Sequence, residues 1–587
     1  MALTLIFAVA SYAQDTVIRF DARPADDDLQ RALVDGSLLA AAQRNGTTSA
    51  QELTAAARAE YGRLLGILYE DGRYGAVISV RIDGREASTL APLDVPEAIE
   101  LIEVRVRPGP TYRFDRLAAG PRARGTILLP EFAPGERGGT GVIADAAAIM
   151  IDEWRLAGHA KARIAEQQIT ARHDTRRIDV MLVVDQGPKL NFGPISLSGN
   201  DNVRSRRIRT IAGLEEGAPF DPLEVARAER RLRRAGSFRS VVVKEATEIG
   251  PNSSLPLEIA VVEQTPRRFG FGAEYSTVEG VGLSAFWLHR NLLGGAERFR
   301  VDAELAGIGG ETGGIDYQIG VRYERPATPR ADVDLFAELT FAREDEIDFV
   351  SDTSEFTLGF TRYAADDLVV EFGLGFLYSE VTDNSGSDIF KLFTLPLAAT
   401  RDRRSDPLNP TKGVFFNLEA TPFLGISDSP SGTQVTGDAR GYRTFGTAFP
   451  TTAALRLQFG SLVGPSLDAA PPFYLFYSGG GGTVRGQDYQ SLAVDNNGER
   501  LGGRSFFGAS AEARVSVTDT IQLVGFYDYG YVSPESDWSD GESHAGAGLG
   551  LRYVTGIGPI RLDLATPVSG DTDASNVYIY IGIGQAF

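Results

Sequence analysis

Arg485 is the residue whose type and setting most clearly suggest chemistry, because it lies in the stretch GGGGTVRGQD, residues 479–488, in which five of ten residues are glycine. A guanidinium stays protonated inside a protein, so a shielded Arg485 needs carboxylates held in a fixed geometry. The glycines allow tight turns and a close approach of the backbone to a wall. We predict a hinge made by the glycines and a latch made by Arg485 with its neighbours Val484 and Gly486.

Two carboxylates are candidate partners for Arg485, because each lies opposite an apolar alternation. In residues 510–517 (SAEARVSV) every second residue is alanine or valine, and Glu512 faces the other side. In residues 521–532 (IQLVGFYDYGYV), Asp528 has the parity opposite to its neighbouring tyrosines. Strands with this alternation separate two unlike environments. Both carboxylates are therefore predicted on the polar side with Arg485. A contact that only stiffens the fold remains the alternative to a latch that moves.

Catalytic and metal-binding constellations are missing from the sequence. Without cysteine, the chain has no disulfide, no thiolate nucleophile and no cysteine-ligated metal site. Its four histidines (159, 173, 289 and 544) show no metal-ligand spacing, and no G-x-S-x-G motif occurs. The formal charge of −20, from 78 acidic and 58 basic residues, disfavours a nucleic-acid partner. We predict that the protein is not an enzyme and holds neither metal nor cofactor.

The first residues are typical of an export signal. An apolar run from Ala2 to Val9 precedes Ser11-Tyr12-Ala13, a small-x-small site of the kind that signal peptidase cuts, although a basic start is missing. We predict a signal peptide over residues 1–13. No later stretch holds about eighteen uninterrupted apolar residues, so a membrane-spanning role must use strands.

Helical and strand patterns alternate three times before residue 266. The helical periodicity covers residues 53–68, 144–157 and 223–235, and each stretch is followed by strand patterns. A glycine suited to the left-handed C′ position ends each helix, and these glycines recur at roughly 80-residue spacing: Gly72, Gly158 and Gly236. We predict three α+β modules in tandem, over residues 14–108, 109–188 and 189–265.

Residues 266–587 lose the helical periodicity and alternate apolar with charged or polar residues, as in RFRVDAEL (298–305), DVDLFAELTF (332–341) and PIRLDL (559–564). A soluble sandwich also alternates in this way. The length without a helix, the turn clusters and the aromatic-rich end favour a transmembrane β-barrel. At about twenty residues for each strand and its loop, we predict about 16 antiparallel strands.

Glycines mark both ends of this predicted barrel. They alternate with aromatic or apolar residues in the first and last strands, where the barrel must close, and glycine weakens strands. We predict a weak lateral seam at Gly270, Phe271 and Gly272 on one side and at Gly582, Gly584 and Phe587 on the other. Phe587 shares the parity of Ile579, Ile581 and Ile583, so all four are expected on one face.

Several of these stretches resemble the Omp85 superfamily. Val484-Arg485-Gly486 is similar to that family's VRG-aromatic motif, which lies on the sixth extracellular loop and folds into the barrel lumen; Gln487 departs from the usual aromatic residue. Further similar stretches are RDRR (401–404), DPLNPTKG (406–413) and GIGPIR (556–561). The segments FGPISLSGN (192–200) and LRRAGSF (232–238) resemble a POTRA domain, the family's periplasmic module. A final strand ending in Phe587 resembles the recognition signal of outer-membrane proteins.

The resemblance implies a fold and a function. It implies POTRA modules followed by an outer-membrane barrel, in which Glu512 and Asp528 are the acidic partners of Arg485. Three modules before such a barrel most resemble TamA-type members, which implies a TamB-like periplasmic or inner-membrane partner, unfolded outer-membrane or autotransporter clients, and contact with outer-membrane lipid. The expected activity is insertion or translocation of clients through the seam. A phospholipid conduit and a two-partner-secretion-like exporter remain alternatives.

Overall fold

The computed structural model describes residues 16–91, 95–310, 313–383, 386–496, 499–556, 558–570, 573 and 575–587. The predicted signal peptide lies outside these residues. Contacts between Cα atoms divide the chain into two compact units. The first contains the chain through Pro194 with Glu215–Glu224 and Ala246–Pro256, and the second contains Ile195–Leu214, Val225–Glu245 and Leu257–Phe587. The boundary therefore runs through the third α+β module.

The amino-terminal part forms three small α+β modules, each with its own sheet. Sheet orders are β1-β4-β2-β3, β5-β7-β6 and β8-β10-β9, and β1–β4 and β5–β7 pair in parallel. The first module contains β1 (Val17–Asp21), α1 (Asp27–Gly36), α2 (Leu38–Arg44), α3 (Ala50–Glu70), β2 (Val77–Ile82), β3 (Arg85–Glu86) and β4 (Leu101–Arg107). The second contains β5 (Arg113–Gly120), α4 (Thr140–Leu156), β6 (Arg163–Arg172) and β7 (Arg177–Asp185). The third contains β8 (Asn191–Ser198), α5 (Ser205–Ala212), α6 (Pro222–Arg234), β9 (Phe238–Glu245) and β10 (Ser254–Glu263).

The helices follow from periodicity and capping. In α3 the buried residues Leu53, Ala57, Leu64 and Leu68 recur at spacings of four and seven residues and so share one face. The Ser49 hydroxyl caps its first turn by accepting from the backbone N–H of Glu52. The glycines predicted to end the three repeated helices all have positive φ, with values of 68° at Gly72, 94° at Gly158 and 75° at Gly236.

From Arg267 onward, seventeen of the strands in the described residues form one closed antiparallel barrel. Its strands are β11 (Arg267–Ser276), β12 (Gly280–His289), β13 (Arg298–Ile308), β14 (Asp316–Arg325), β15 (Val333–Asp345), β16 (Phe349–Ala365), β17 (Leu368–Asp383), β18 (Ser387–Thr394), β19 (Leu397–Asp402), β20 (Lys412–Gly425), β21 (Gly432–Phe445), β22 (Thr451–Val463), β25 (Ser505–Ser516), β26 (Ile521–Ser533), β27 (Glu542–Thr555), β28 (Gly558–Ser569) and β29 (Tyr578–Ile583). The short hairpin β23 (Val494–Asn496) and β24 (Glu499–Leu501) lies in the loop before β25.

β18 and β19 count as one strand, because both pair with β17 and β20. They are separated by Leu395 and Pro396, and proline has no N–H to donate to the ladder. The barrel described here therefore has sixteen strands, and the predicted fold class of α+β modules followed by an antiparallel barrel is confirmed.

The barrel wall alternates as the sequence predicts. Outward residues pair across strands as apolar neighbours, for example Phe356 with Phe376 and Leu358 with Leu374. Several inward residues carry charge. For example, Arg322 contacts Glu338 at 2.6 Å and Glu371 at 2.7 Å. No helix in the described part of the chain is long and apolar enough to cross a membrane.

The second unit also contains contacts between α6 of the third module and the turns at one end of the barrel. Asp332, in the turn before β15, accepts from Arg231 Nε at 3.0 Å and Nη2 at 2.7 Å, and from Arg234 Nη2 at 3.2 Å. These guanidinium contacts, chiefly that of Arg231, hold the pKa of Asp332 below its ordinary value. The Arg234 guanidinium also lies 3.5 Å from the ring centre of Tyr363. This part of the module is therefore tied to the barrel by paired charges.

Candidate functional site

The loop between β22 and β25, residues 464–504, folds into the barrel lumen. Its apolar residues Phe473 and Leu475 pack against inward side chains of the wall, including Leu377 and Leu462. At Gly486 the backbone has φ of 89°, and an added Cβ would lie 2.6 Å from the carbonyl oxygen of Thr566. Glycine is therefore required at this point of closest approach.

Arg485 extends from this loop into a buried group of carboxylates. Its Nε and Nη2 donate to Asp528 at 2.7 and 3.0 Å, and its Nη1 donates to Glu512 at 2.8 Å and to Asp563 at 3.2 Å. The guanidinium carbon also lies 3.6 Å from the ring centre of Phe526. The side chain is only 4% exposed, so every polar hydrogen needs an acceptor within the protein.

Two more arginines complete this group, here called the latch cluster: Arg485, Arg514, Arg552, Glu512, Asp528 and Asp563. Arg514 Nε donates to Glu512 at 2.8 Å, and Arg552 contacts both oxygens of Asp563. Three guanidinium groups thus face three carboxylates, and the formal charges balance. Mutual pairing compensates for the removal of these charges from water.

Glycines on the inward face of β27 explain how the loop fits among these strands. Gly546 of β27 lies opposite Asp528 of β26, and Gly550 of β27 lies opposite Asp563 of β28. An added Cβ at Gly546 would lie 1.9 Å from the carbonyl oxygen of Arg485. The inward face of β27 therefore leaves room for the loop backbone and for the guanidinium groups.

The same loop is held by residues next to both closing strands of the barrel. Gly481 N–H donates to Glu279, in the turn after β11, at 2.8 Å, and Gly486 N–H donates to Tyr580 of β29 at 3.2 Å. The Gln487 amide donates to the carbonyl oxygens of Ala545 at 2.6 Å and Ser569 at 2.7 Å, which bridges the ends of β27 and β28. Gln487 thus makes a hydrogen-bonded bridge where the resemblance led us to expect an aromatic ring.

A further anchor of the loop lies at the turn between β15 and β16. Tyr489 of the loop donates to Glu346, in the turn before β16, at 3.0 Å. Burial raises the pKa of Glu346 to about 7, since desolvation disfavours the charged carboxylate.

The seam between β11 and β29 is paired over a short length. Tyr275 pairs with Ile581 and Ser276 with Tyr580, and Thr277 N–H donates to the carbonyl oxygen of Ile579 at 3.1 Å. By contrast, β11 pairs with β12 from Arg267 to Ser276. The rest of β11 carries no pairing to β29, and a cleft of about 280 Å³ here is lined by residues 272–274 of β11, by residues of β12 and β13, and by Ile583 of β29.

The predicted seam residues lie in or beside the two strands that close the barrel. Gly270, Phe271 and Gly272 belong to β11 and pair only with β12 among the described residues, and Phe271 is 85% exposed. Gly582 belongs to β29 and pairs with Arg561 of β28. The pairing of β11 with β29 stops at Tyr275 and Ile581, so the glycines of the two strands do not pair with each other. Lateral opening at these residues stays a prediction.

Phe587 departs from its predicted face. After Ile583 the chain turns at Gly584, which has φ of 101° and donates its N–H to the carbonyl oxygen of Pro559 at 2.7 Å. Phe587 is buried against the inward residues Tyr442 and Ala454. Strand parity does not survive this left-handed turn, so Phe587 does not share the outward face of Ile583. Residues Gly584–Phe587 are here called the inward segment.

The structure brings Val484, Arg485, Gly486, Glu512 and Asp528 together, but sequence reasoning missed three members of the latch cluster. Asp563 lies in PIRLDL, whose alternation already indicates an inward carboxylate. Arg514 follows Glu512 by two residues and shares its face. Arg552 gave no comparable signal. In the described part of the chain, no group of three His, Asp or Glu side chains is arranged to hold a metal ion.

Sequence comparison identifies relatives with this architecture. The Omp85 superfamily domain matches residues 291–587, just over half of the chain, and the POTRA family, described as surface antigen variable number repeat, matches residues 190–264. The outer membrane protein assembly factor BamA of Nitratidesulfovibrio vulgaris is 23% identical over 419 residues, which cover 68% of this chain and 51% of that protein. The chain spans about half the length of the BamA relatives it matches.

Solved structures are similar in fold. BamA from Haemophilus ducreyi lacking POTRA domains 1–3 superposes with a TM-score of 0.62 at 16% identity, covering 80% of this chain and 100% of that one. CdiB from Acinetobacter baumannii superposes with a TM-score of 0.52 at 13% identity, covering 81% of this chain and 90% of that one. At these identities the likeness establishes the architecture alone.

Proposed function

The chain belongs to the Omp85 superfamily, and from that premise we propose that it is an assembly factor that inserts or translocates β-barrel or autotransporter clients through the seam between β11 and β29. The barrel lies in the outer membrane and the POTRA modules lie in the periplasm. The modules dock unfolded clients or a TamB-like partner, as in a TamA-type protein. The three modules before the barrel support this finer assignment.

One observation carries the proposal: β11 has a free edge. From Arg267 to Glu274 its backbone groups on the β29 side have no strand partner. An unpaired edge is a template for an added strand, whose main-chain hydrogen bonds make few demands on side chains. A client strand that pairs with β11 gains these bonds at the membrane, and the seam opens to admit it when the short pairing near Tyr275 separates.

A disulfide across the paired part of the seam tests this proposal. Since the chain has no cysteine, Tyr275→Cys with Ile581→Cys places one engineered disulfide between residues that face each other in the register. We expect the oxidised protein, in phosphatidylethanolamine and phosphatidylglycerol vesicles, to stop inserting a urea-unfolded eight-stranded barrel, and reduction to restore insertion. Insertion is measured by the heat-sensitive mobility of the folded barrel.

The matched control is Leu339→Cys with Phe356→Cys, which face each other in the pairing of β15 with β16, away from the seam. This disulfide should leave insertion unchanged. If the seam disulfide leaves insertion at the level of the control, the proposed route through the seam is wrong.

A phospholipid conduit with a TamB-like bridge is the second candidate. It is favoured by the cleft beside the unpaired part of β11, which Ala273 and Ile583 line, and by exposed apolar side chains on the two strands, since Phe271 and Ile583 are 85% and 54% exposed. Transfer of a fluorescent phospholipid, measured in the same vesicles, separates the two activities. Loss of lipid transfer with unchanged insertion in the seam disulfide would favour the conduit.

A further inference from the structure

We propose that Arg514 and Arg552 are positioning residues: they hold the inward segment in the lumen and so keep residues 267–274 of β11 unpaired on the side of β29. The effect of this arrangement on client insertion rests on the proposed function, whereas the placement of the inward segment in the lumen does not. The two arginines thus link the loop that carries Arg485 to the strand that closes the barrel.

Gln585 is the first point at which the inward segment is held. Its amide oxygen accepts from Arg552 Nε at 3.0 Å. Its amide nitrogen donates to Asn409, in the turn before β20, at 2.9 Å and to Gln522 of β26 at 3.3 Å. The side chain of Gln585 is thus bonded to three separate elements, which fixes the direction of the segment.

Phe587 is the second point. Its carbonyl oxygen accepts from Arg514 Nη2 at 3.1 Å, and its ring centre lies 5.4 Å from the Arg514 guanidinium carbon. The ring packs against Tyr442 and Ala454 on the inward face of the wall. The segment is therefore held by a charge-assisted hydrogen bond and by apolar burial.

The same two arginines share their carboxylates with the loop arginine. Glu512 accepts from Arg485 with one oxygen and from Arg514 with the other. Asp563 likewise contacts both Arg485 and Arg552. Two chains of paired charges therefore run from Arg485 to the inward segment, and displacement of one end leaves unpaired buried charge at the other.

The inward segment has an alternative place. The seam pairs Tyr275 with Ile581, and the same antiparallel register continued by two residues brings Ala273 opposite Ile583. Continued further, it brings Phe271 opposite Gln585. A straight extension of β29 would therefore cover the free edge of β11. The segment has two competing arrangements, in the lumen or along β11, and the arginine contacts favour the first.

A reporter disulfide measures which arrangement is populated. Ala273→Cys and Ile583→Cys are both outside the latch cluster; the two residues line one cleft but are not paired, and they become direct register partners when β29 pairs further along β11. Into this background we introduce Gln585→Ala or Arg552→Lys. The lysine retains the positive charge beside Asp563 but lacks the Nε donor to Gln585.

We expect Arg552→Lys to raise the ratio of disulfide-linked to free protein about tenfold under fixed mild oxidation, the effect of losing one hydrogen bond to a charged group. Gln585→Ala, which also removes the bonds to Asn409 and Gln522, should raise it at least as much, and Arg552→Lys added to Gln585→Ala should add little, since the bond between these two residues is already lost. The control is Arg322→Lys, an inward arginine paired with glutamates on other strands, which should not change the ratio. Heat-sensitive mobility verifies that each variant is folded.

An unchanged disulfide ratio in folded Gln585→Ala and Arg552→Lys would overturn the inference, as would an equal rise in Arg322→Lys. Insertion of the urea-unfolded barrel is measured separately under reducing conditions. A raised ratio with reduced insertion supports both proposals. A raised ratio with unchanged insertion supports the placement of the segment and counts against the seam as the insertion route.

Discussion

At the scale of single residues, Arg485 is a buried cation that requires several carboxylate partners. Its guanidinium is buried, and three carboxylates from three different strands surround it. Asp528 accepts from Arg485 through both of its oxygens. Glu512 and Asp563 each accept from Arg485 and also from a second arginine. Because Glu512 and Asp563 each compensate two positive charges, the removal of either leaves a buried guanidinium short of partners.

The first prediction concerns Asp563, which sequence reasoning missed. Asp563→Asn removes one negative charge from between Arg485 and Arg552, and we expect a loss of about 2 kcal/mol in the free energy of unfolding. Urea unfolding followed by electrophoretic mobility measures this loss. Glu304→Gln changes an exposed inward carboxylate of β13 and is expected to have little effect. Equal stability of the two variants would contradict the role assigned to Asp563.

At the scale of elements, the barrel is unevenly paired. β15 has partners along its length on both sides, whereas β11 has a long partner in β12 and a short one in β29. The reason is local: Gly584 turns the chain into the lumen before β29 has covered β11. The weakest element thus lies where the two ends of the barrel meet, and the loop with Arg485 is anchored beside it through Glu279 and Tyr580.

The second prediction concerns amide exchange in β11. The N–H groups of residues 267–274 that point toward β29 have no strand acceptor, so we expect about half of the amides in this stretch to exchange rapidly. Hydrogen–deuterium exchange measured by mass spectrometry compares this peptide with one from β15. Protection of residues 267–274 equal to that of β15 would mean that the seam is fully paired in the membrane.

At the scale of the whole molecule, part of the third module belongs to the same compact unit as the barrel. Within this second unit, α6 contributes Arg231 and Arg234, and the barrel contributes Asp332 from a turn between strands. Arg231 also donates to the carbonyl oxygen of Ala212 at 3.0 Å, which ties the same guanidinium to α5. Paired charges therefore join α5 and α6 to the barrel at this point.

The third prediction is a pH dependence at this junction. The pKa of Asp332 is lowered from 3.8, so the contribution of its ion pairs is fully present above about pH 4 and is lost as the pH falls through the lowered value. We expect a narrow distance distribution between spin labels at Val242→Cys and Phe449→Cys from pH 5 to pH 8. Asp332→Asn should broaden it throughout this range, whereas Asp366→Asn, which removes only an exposed ion pair with Arg230 of α6, should broaden it much less. A distribution that changes between pH 5 and pH 8 without the substitution would contradict this assignment.

The sequence by itself determined the architecture, because periodicity is a local property. Helical spacing from Leu53 to Leu68, the C′ glycines and the alternation in strands such as 510–517 are set by neighbours in the chain. The same alternation sufficed to bring Glu512 and Asp528 to Arg485, since parity decides which face of a barrel wall a side chain occupies.

Only the tertiary structure decided where pairing ends and which charges are shared. Phe587 has the parity of an outward residue, yet it lies in the lumen. The chain turns inward at Gly584, and the carbonyl oxygen of Phe587 accepts from Arg514. Arg552 lies 67 positions along the chain from Arg485, and the two meet at Asp563 only because β27 and β28 bring their inward faces together around the loop. Such contacts depend on register and on closure of the barrel, and no pattern within one strand encodes either of them.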